Sequence, residues 1–175
     1  MKESLNKIFL IICSIHTFHC AAFPVHSVQK GVNPPFPNEF LKANLIFTGF
    51  HRFEREELKI RNELKKIGFS EDKISDTTIE FRLERNYPIY RYLWLHRMHA
   101  VLTVLSGGLL PYYTYADQRL KIQYWKDKEL RKESRYDLSL HQWRGTLVLL
   151  VTIPYFPDQT FSDLFESSLQ EELQK

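Results

Sequence analysis

Two side chains combine a reactive type with a suggestive setting: Cys20, followed by Ala21-Ala22, and Ser106, followed by Gly107-Gly108. A cysteine just past an apolar N-terminal run can be acylated through its thiol, and acyl chains hold a protein to a membrane. A serine beside glycines invites a nucleophile, with His96, His99 or His141 as the base that such chemistry needs. However, Leu105-Ser106-Gly107-Gly108 lacks the leading glycine of a nucleophile elbow. Nor is the glycine pair followed by the lysine and hydroxyl residue of a phosphate loop. His96 and His99 are three apart rather than the four of a helical His-x-x-x-His pair, and His51 and His141 have no metal-motif spacing. The only other cysteine is Cys13, so nothing after residue 20 can form an internal disulfide or a thiolate site. The expectation is no catalytic set, no metal, no cofactor, and lipidation at Cys20.

The segments around Cys20 suit that role. Lys2 and Lys7 precede the apolar run Ile8–Ile15, which has the length of a signal-peptide core and is too short for a helical span. Residues 1–19 read as a signal peptide. Two processing routes fit: acylation of Cys20 as the first mature residue, or signal-peptidase cleavage after Ala21 or Ala22, releasing a soluble periplasmic protein. His19 is bulkier than the small residue favoured before a lipidated cysteine. Residues 20–42 carry Pro24, Pro34, Pro35 and Pro37, and composition predicts an extended tether, with an irregular arm lying on the domain as the other reading of its second half.

Residues 43–175 read as a single α+β domain. The chain has 175 residues, a hydrophobic share of 43% and an aromatic share of 14%, enough to build a core. A net charge of +3 gives no reason to expect nucleic acid as a partner. Ala43–Phe50 is a strand pattern; Arg52–Ile67 is a helix with Phe53, Ile60, Leu64 and Ile67 on one face, and Gly68 stops it. Thr77–Glu84 alternates, with Ile79, Phe81 and Leu83 inward. Gln118–Tyr124 and Leu130–Leu140 form a hairpin around Lys126–Glu129. Asp158–Leu173 closes the chain as an amphipathic helix with Phe161, Phe165, Leu169 and Leu173 on a stripe, and Thr160 with Asp163 imitates a capping box. The predicted fold is a two-layer sandwich: a mostly antiparallel sheet of about four to five strands, a helix after the first strand, and the C-terminal helix.

Two apolar runs stop at prolines: Ala100–Pro111 and Thr146–Pro154. Neither reaches the roughly twenty residues of a helical span. Met98–Leu105 reads as a buried strand with a bulge at Ser106-Gly107-Gly108, and Thr146–Pro154 as a last strand or a short buried helix. Tyr87, Tyr90, Tyr92 and Trp94 form an aromatic strand, or else a lip facing a membrane. The stretch Leu102–Pro111, the charged hairpin, Trp143 and Leu147–Pro154 together resemble a group of small uncharacterised bacterial envelope lipoproteins of the spirochaete type. Those carry a "TLSLGLLP"-like strand and a "W…LLLLP"-like segment. The resemblance covers about half the chain and implies a lipid-anchored, non-enzymatic envelope protein. Its expected partners are the membrane and other envelope proteins, and it transfers no catalytic residues. A soluble periplasmic protein, a hydrolase using Ser106, and a protein held at the membrane by the two apolar runs themselves are the competing expectations.

Overall fold

A computed structural model of the chain describes residues 20–25, 36–88, 90–145, 148 and 156–173. Residues 1–19, expected as a signal peptide, the centre of the proline-rich arm and, apart from Val148, the second apolar run Thr146–Pro154 lie outside the described residues. In chain order the elements are β1 (Cys20–Pro24), β2 (Lys42–Thr48), α1 (Glu54–Lys66), β3 (Ser70–Glu71), β4 (Thr77–Asn86), α2 (Leu93–Leu105), β5 (Tyr112–Lys126), β6 (Glu129–Asp137), β7 (Leu140–Arg144) and α3 (Pro157–Leu173). The fold is α+β with mostly antiparallel pairing, and among the described residues it has seven strands where four to five were expected. The described residues fall into two compact units, one within 20–25, 87–116, 140–148 and 156–160, the other within 36–86, 117–139 and 161–173.

In the second unit β2 and β4 run parallel, with α1 in the crossover that parallel strands require. The β5 residues from Asp117 pair antiparallel with β4, and β6 pairs antiparallel with β5. β4 buries Thr77, Ile79, Phe81 and Leu83 on one face. The last three stand opposite Tyr124, Ile122 and Leu120, so apolar rows match across the pair. Ile60 and Leu64 of α1 are fully buried, as are Phe165 and nearly all of Leu169 in α3. Each large side chain so enclosed contributes about 1.5–3 kcal/mol. Helix α1 ends as its Gly68 predicts: Gly68 (φ 86) donates to Lys65 O at 3.1 Å and Phe69 to Leu64 O at 3.0 Å. The hairpin turn is Asp127–Lys128, both at positive φ (51 and 68) despite having no glycine.

The first unit contains β1, β7, the β5 residues up to Ala116, and α2. Its strands pair antiparallel in the order β1–β7–β5. The register aligns Cys20, Arg144 and Tyr112 in one row, and Ala21, Trp143 and Tyr113 in the next. Aligned residues leave the same face of a sheet and successive residues opposite faces.

Three local expectations change. The tether expected over residues 20–42 is instead a strand at its start, Cys20–Pro24, with Ala21 and Ala22 fully buried, and in its second half Phe36 and Phe40 pack edge-on against Tyr124, as the reading of an arm lying on the domain has it. Small side chains let β1 sit close to its neighbours, and Pro24 falls at its last position, where a missing donor is tolerated. The strand expected at Met98–Leu105 is instead part of helix α2, which takes in Trp94 of the aromatic stretch, while Tyr87, Tyr90 and Tyr92 precede the helix and form no strand. Its β-branched residues cost only tenths of a kcal/mol each in a helix, and Ser106-Gly107-Gly108 is a helix stop rather than a bulge. Gly107 (φ 63) donates to Val104 O at 3.0 Å and Gly108 to Thr103 O at 2.8 Å. The capping box of Thr160 and Asp163 is not used, because α3 begins earlier, at Pro157, and the Thr160 hydroxyl donates to Ala22 O at 3.3 Å.

Candidate interaction surface

Helix α2 presents its faces in the reverse of the order that water favours. Its half-buried residues are His96, His99, Ala100 and Thr103, the i, i+3, i+4, i+7 stripe of one helical face. The remaining residues, almost all apolar, point outward, and no residue of the helix is buried. Trp94 is 65% exposed, Val104 78% and Leu105 77%, and Leu109 and Leu110 of the following turn are exposed as well. Single exposed apolar side chains are ordinary, but a contiguous row of this length marks a contact surface.

The polar stripe explains why the helix lies this way round. His96 Nε2 is 2.7 Å from the Tyr112 hydroxyl, and its ring stacks on Tyr90 at 3.7 Å. His99 meets Tyr112 edge-on at 6.0 Å. The Thr103 hydroxyl donates to His99 O at 2.9 Å. Burial, with a smaller contribution from Tyr90, raises the Tyr112 phenol above its ordinary value, so it stays protonated as a hydrogen-bond partner for His96. A shallow hollow of about 510 Å³ is lined by Tyr90, Tyr92, Leu95, Met98 and Leu102 together with Arg91 and the two histidines of α2. Its walls are mostly apolar and aromatic, with Arg91 as the one charged side chain named among them, and such a hollow receives an apolar or aromatic group.

Cys20 begins β1, half-buried, in the row with Arg144 and Tyr112. Burial raises its thiol above the usual value, and the Arg144 guanidinium pulls it partly back. Its side chain therefore leaves the face of the three-stranded sheet from which Tyr112 reaches His96 of α2. Ser106 caps α2: its hydroxyl donates to Thr103 O at 2.9 Å and accepts from Leu110 N at 3.1 Å. Of the three histidines weighed as its base, His96 is engaged with Tyr112, and His141 Nδ1 lies 2.6 Å from the Tyr113 hydroxyl in a ladder with Tyr115 and Trp143. No hydrogen bond among the described residues joins Ser106 to a histidine.

The second unit encloses a polar cluster around Glu172. The Glu172 carboxylate, with no exposed surface, accepts from Tyr124 Oη at 2.8 Å, Tyr136 Oη at 2.6 Å and Lys132 Nζ at 2.8 Å. Three donors on one buried carboxylate hold the end of α3 to β5 and β6. Among the described residues no three or more His, Cys, Asp or Glu side chains converge as metal ligands.

No family model matches the chain, and no curated protein matches it either.

The sequence reading missed the outward face of α2 by taking Met98–Leu105 as a strand. The signal was present in the spacing of His96, His99 and Thr103, which repeats at helical intervals through a run that is apolar but for Arg97.

Proposed function

We propose that the protein is a non-catalytic component of the cell envelope, lipid-anchored through Cys20, that works by contact through the outward apolar face of α2. The observation that carries this reading is the reversed polarity of α2, since a face of that kind needs a cover other than water. The resemblance to spirochaete-type lipoproteins belongs to the same proposal, as does an exported location. β1 favours acylation over release. Cleavage after Ala22 would remove three of the five residues of β1, two of them fully buried alanines, whereas cleavage before Cys20 keeps the strand whole. In this reading each unit is two-layered, a sheet with helix on it. The Ser106 hydrolase has no supporting geometry, because its hydroxyl is committed to the helix end.

Mass spectrometry of the mature N-terminus and palmitate labelling of cells test the anchor. An acylated Cys20, with label and membrane partition both lost in Cys20→Ala, is the expected result. A mature chain beginning at Ala22 or Phe23, or unchanged labelling in the variant, would sink it.

A further inference from the structure

We infer that α2 and the turn after it enter the interface of an anionic phospholipid bilayer beside the Cys20 anchor, the turn lying deeper than the start of the helix. This rests on the reading that the protein works at a membrane, and it names the occupant of the apolar face.

Three observations select lipid over protein. The first is charge: from Tyr87 to Ala116 the sequence contains no Asp or Glu, although the chain has 21 of them, while Arg91 and Arg97 are present and exposed. Cations near anionic headgroups each favour binding by about one kcal/mol. The second is the distribution along the axis. Tyr87, Tyr92, Trp94 and both arginines gather in the first half of α2 and just before it, among exposed Leu93, Leu95 and Met98, whereas the large exposed side chains of its end and the turn, Val101, Leu102, Val104, Leu105, Leu109 and Leu110, are all aliphatic. Aromatic and basic groups belong at headgroup depth and aliphatic ones below it. The third is the face of the sheet: the row Cys20–Arg144–Tyr112 puts the thiol on the side where Tyr112 bonds His96. An acyl chain on Cys20 leaves from the face that carries α2.

The helix has 13 residues, so it is about 20 Å long against the roughly 30 Å of a hydrocarbon core. Among the described residues no helix is long and apolar enough to cross a membrane. Such a helix lies in the interface rather than spanning it.

The test uses the full chain with Cys13→Ser and Cys20→Ser, which cannot be acylated, so its result does not depend on the anchor. One version carries Leu105→Cys and another Lys128→Cys, each labelled with a polarity-sensitive dye. With phosphatidylglycerol-containing vesicles the dye at 105 should brighten roughly threefold or more and that at 128 stay as in buffer. Phosphatidylcholine vesicles alone should give a smaller rise, and Arg91→Glu with Arg97→Glu should abolish the difference between the two lipids. An unchanged dye at 105, or equal brightening at both positions, overturns the inference. A rise without vesicles that grows with protein concentration overturns it too, by assigning the face to a second copy. Success here with no acylation of Cys20, or the reverse, separates this inference from the anchor on which the proposed function depends.

Discussion

Glu172 shows how one side chain can secure an element. The carboxylate sits in the last turn of α3, where the helix dipole disfavours a negative charge. Two phenol hydroxyls and the Lys132 ammonium offset that, and Lys132 also lies over the Tyr124 ring at 5.2 Å. Tyr136→Phe removes one donor and is expected to lower unfolding free energy by about 1–2 kcal/mol in urea titrations. Glu172→Gln orphans Lys132 and weakens both phenol bonds, so about 2–4 kcal/mol is expected there. A Glu172→Gln loss within error of zero would mean that the cluster does not hold the helix. The pH dependence has a definite sign. Burial first, and the neighbouring Glu172 charge second, push the Tyr124 phenol well above its ordinary value. The folded state therefore holds that proton more tightly than the unfolded chain. The stabilisation is complete below the unfolded value of about 10 and is lost as pH rises toward the folded one. The urea midpoint should fall above about pH 10, and less steeply in Tyr124→Phe. Equal slopes would assign the loss to other groups.

Elements form where local chemistry and packing agree, and two glycines separate these contributions. Gly49 and Gly68 have nearly the same backbone angle, φ 85 and 86. A Cβ on Gly49 would lie 2.2 Å from Leu83 O, whereas one on Gly68 meets nothing within 4 Å. Gly68→Ala is expected to lose about 1 kcal/mol, the left-handed penalty alone. Gly49→Ala adds displacement of β4 backbone, and a loss of about 3 kcal/mol or more follows. Similar losses in thermal melts of the two variants would refute the close approach. Gly68 was legible as the stop of α1 because a helical stripe ran up to it, and β4 because its apolar residues alternate. The hairpin was legible without a glycine, since flanking alternation located it. α2 was not. Its apolar residues surround the helix, leaving the polar stripe as the only periodic signal, and strand and helix are indistinguishable in a short apolar run. β1 was hidden by the prolines after it, because composition averages over a window and cannot see that Ala21 and Ala22 find partners in β7, far along the chain. Cys20 was legible as a chemical candidate, but its row with Arg144 and Tyr112 depends on strand register, which only the fold supplies.

At the scale of the molecule, the two units differ in where their apolar side chains go. The second encloses Phe81, Leu120, Ile122 and Phe165 completely and secures its last helix with Glu172. The first turns Trp94, Leu102, Val104 and Leu105 outward and sets two histidines against its sheet. A unit built this way has part of its stability held by whatever covers it, because a ligand that binds only the folded state stabilises it by mass action. Hydrogen exchange reads this unit by unit, since amides open locally with their own free energies. Anionic vesicles at about ten times the dissociation constant should slow exchange in Tyr112–Ala116, Leu140–Arg144 and α2 about tenfold. Exchange in Glu54–Lys66 and Thr77–Asn86 should stay as it was. Val104→Asp with Leu105→Asp should remove the slowing while leaving the rates in buffer close to those of the parent, because neither side chain is buried. Uniform slowing across both units would show that vesicles stabilise the chain without engaging α2. Slowing that persists in the double variant would place the contact elsewhere. Slowing confined to the first unit and lost with Val104 and Leu105 makes the outward helix the part of the molecule that the membrane completes.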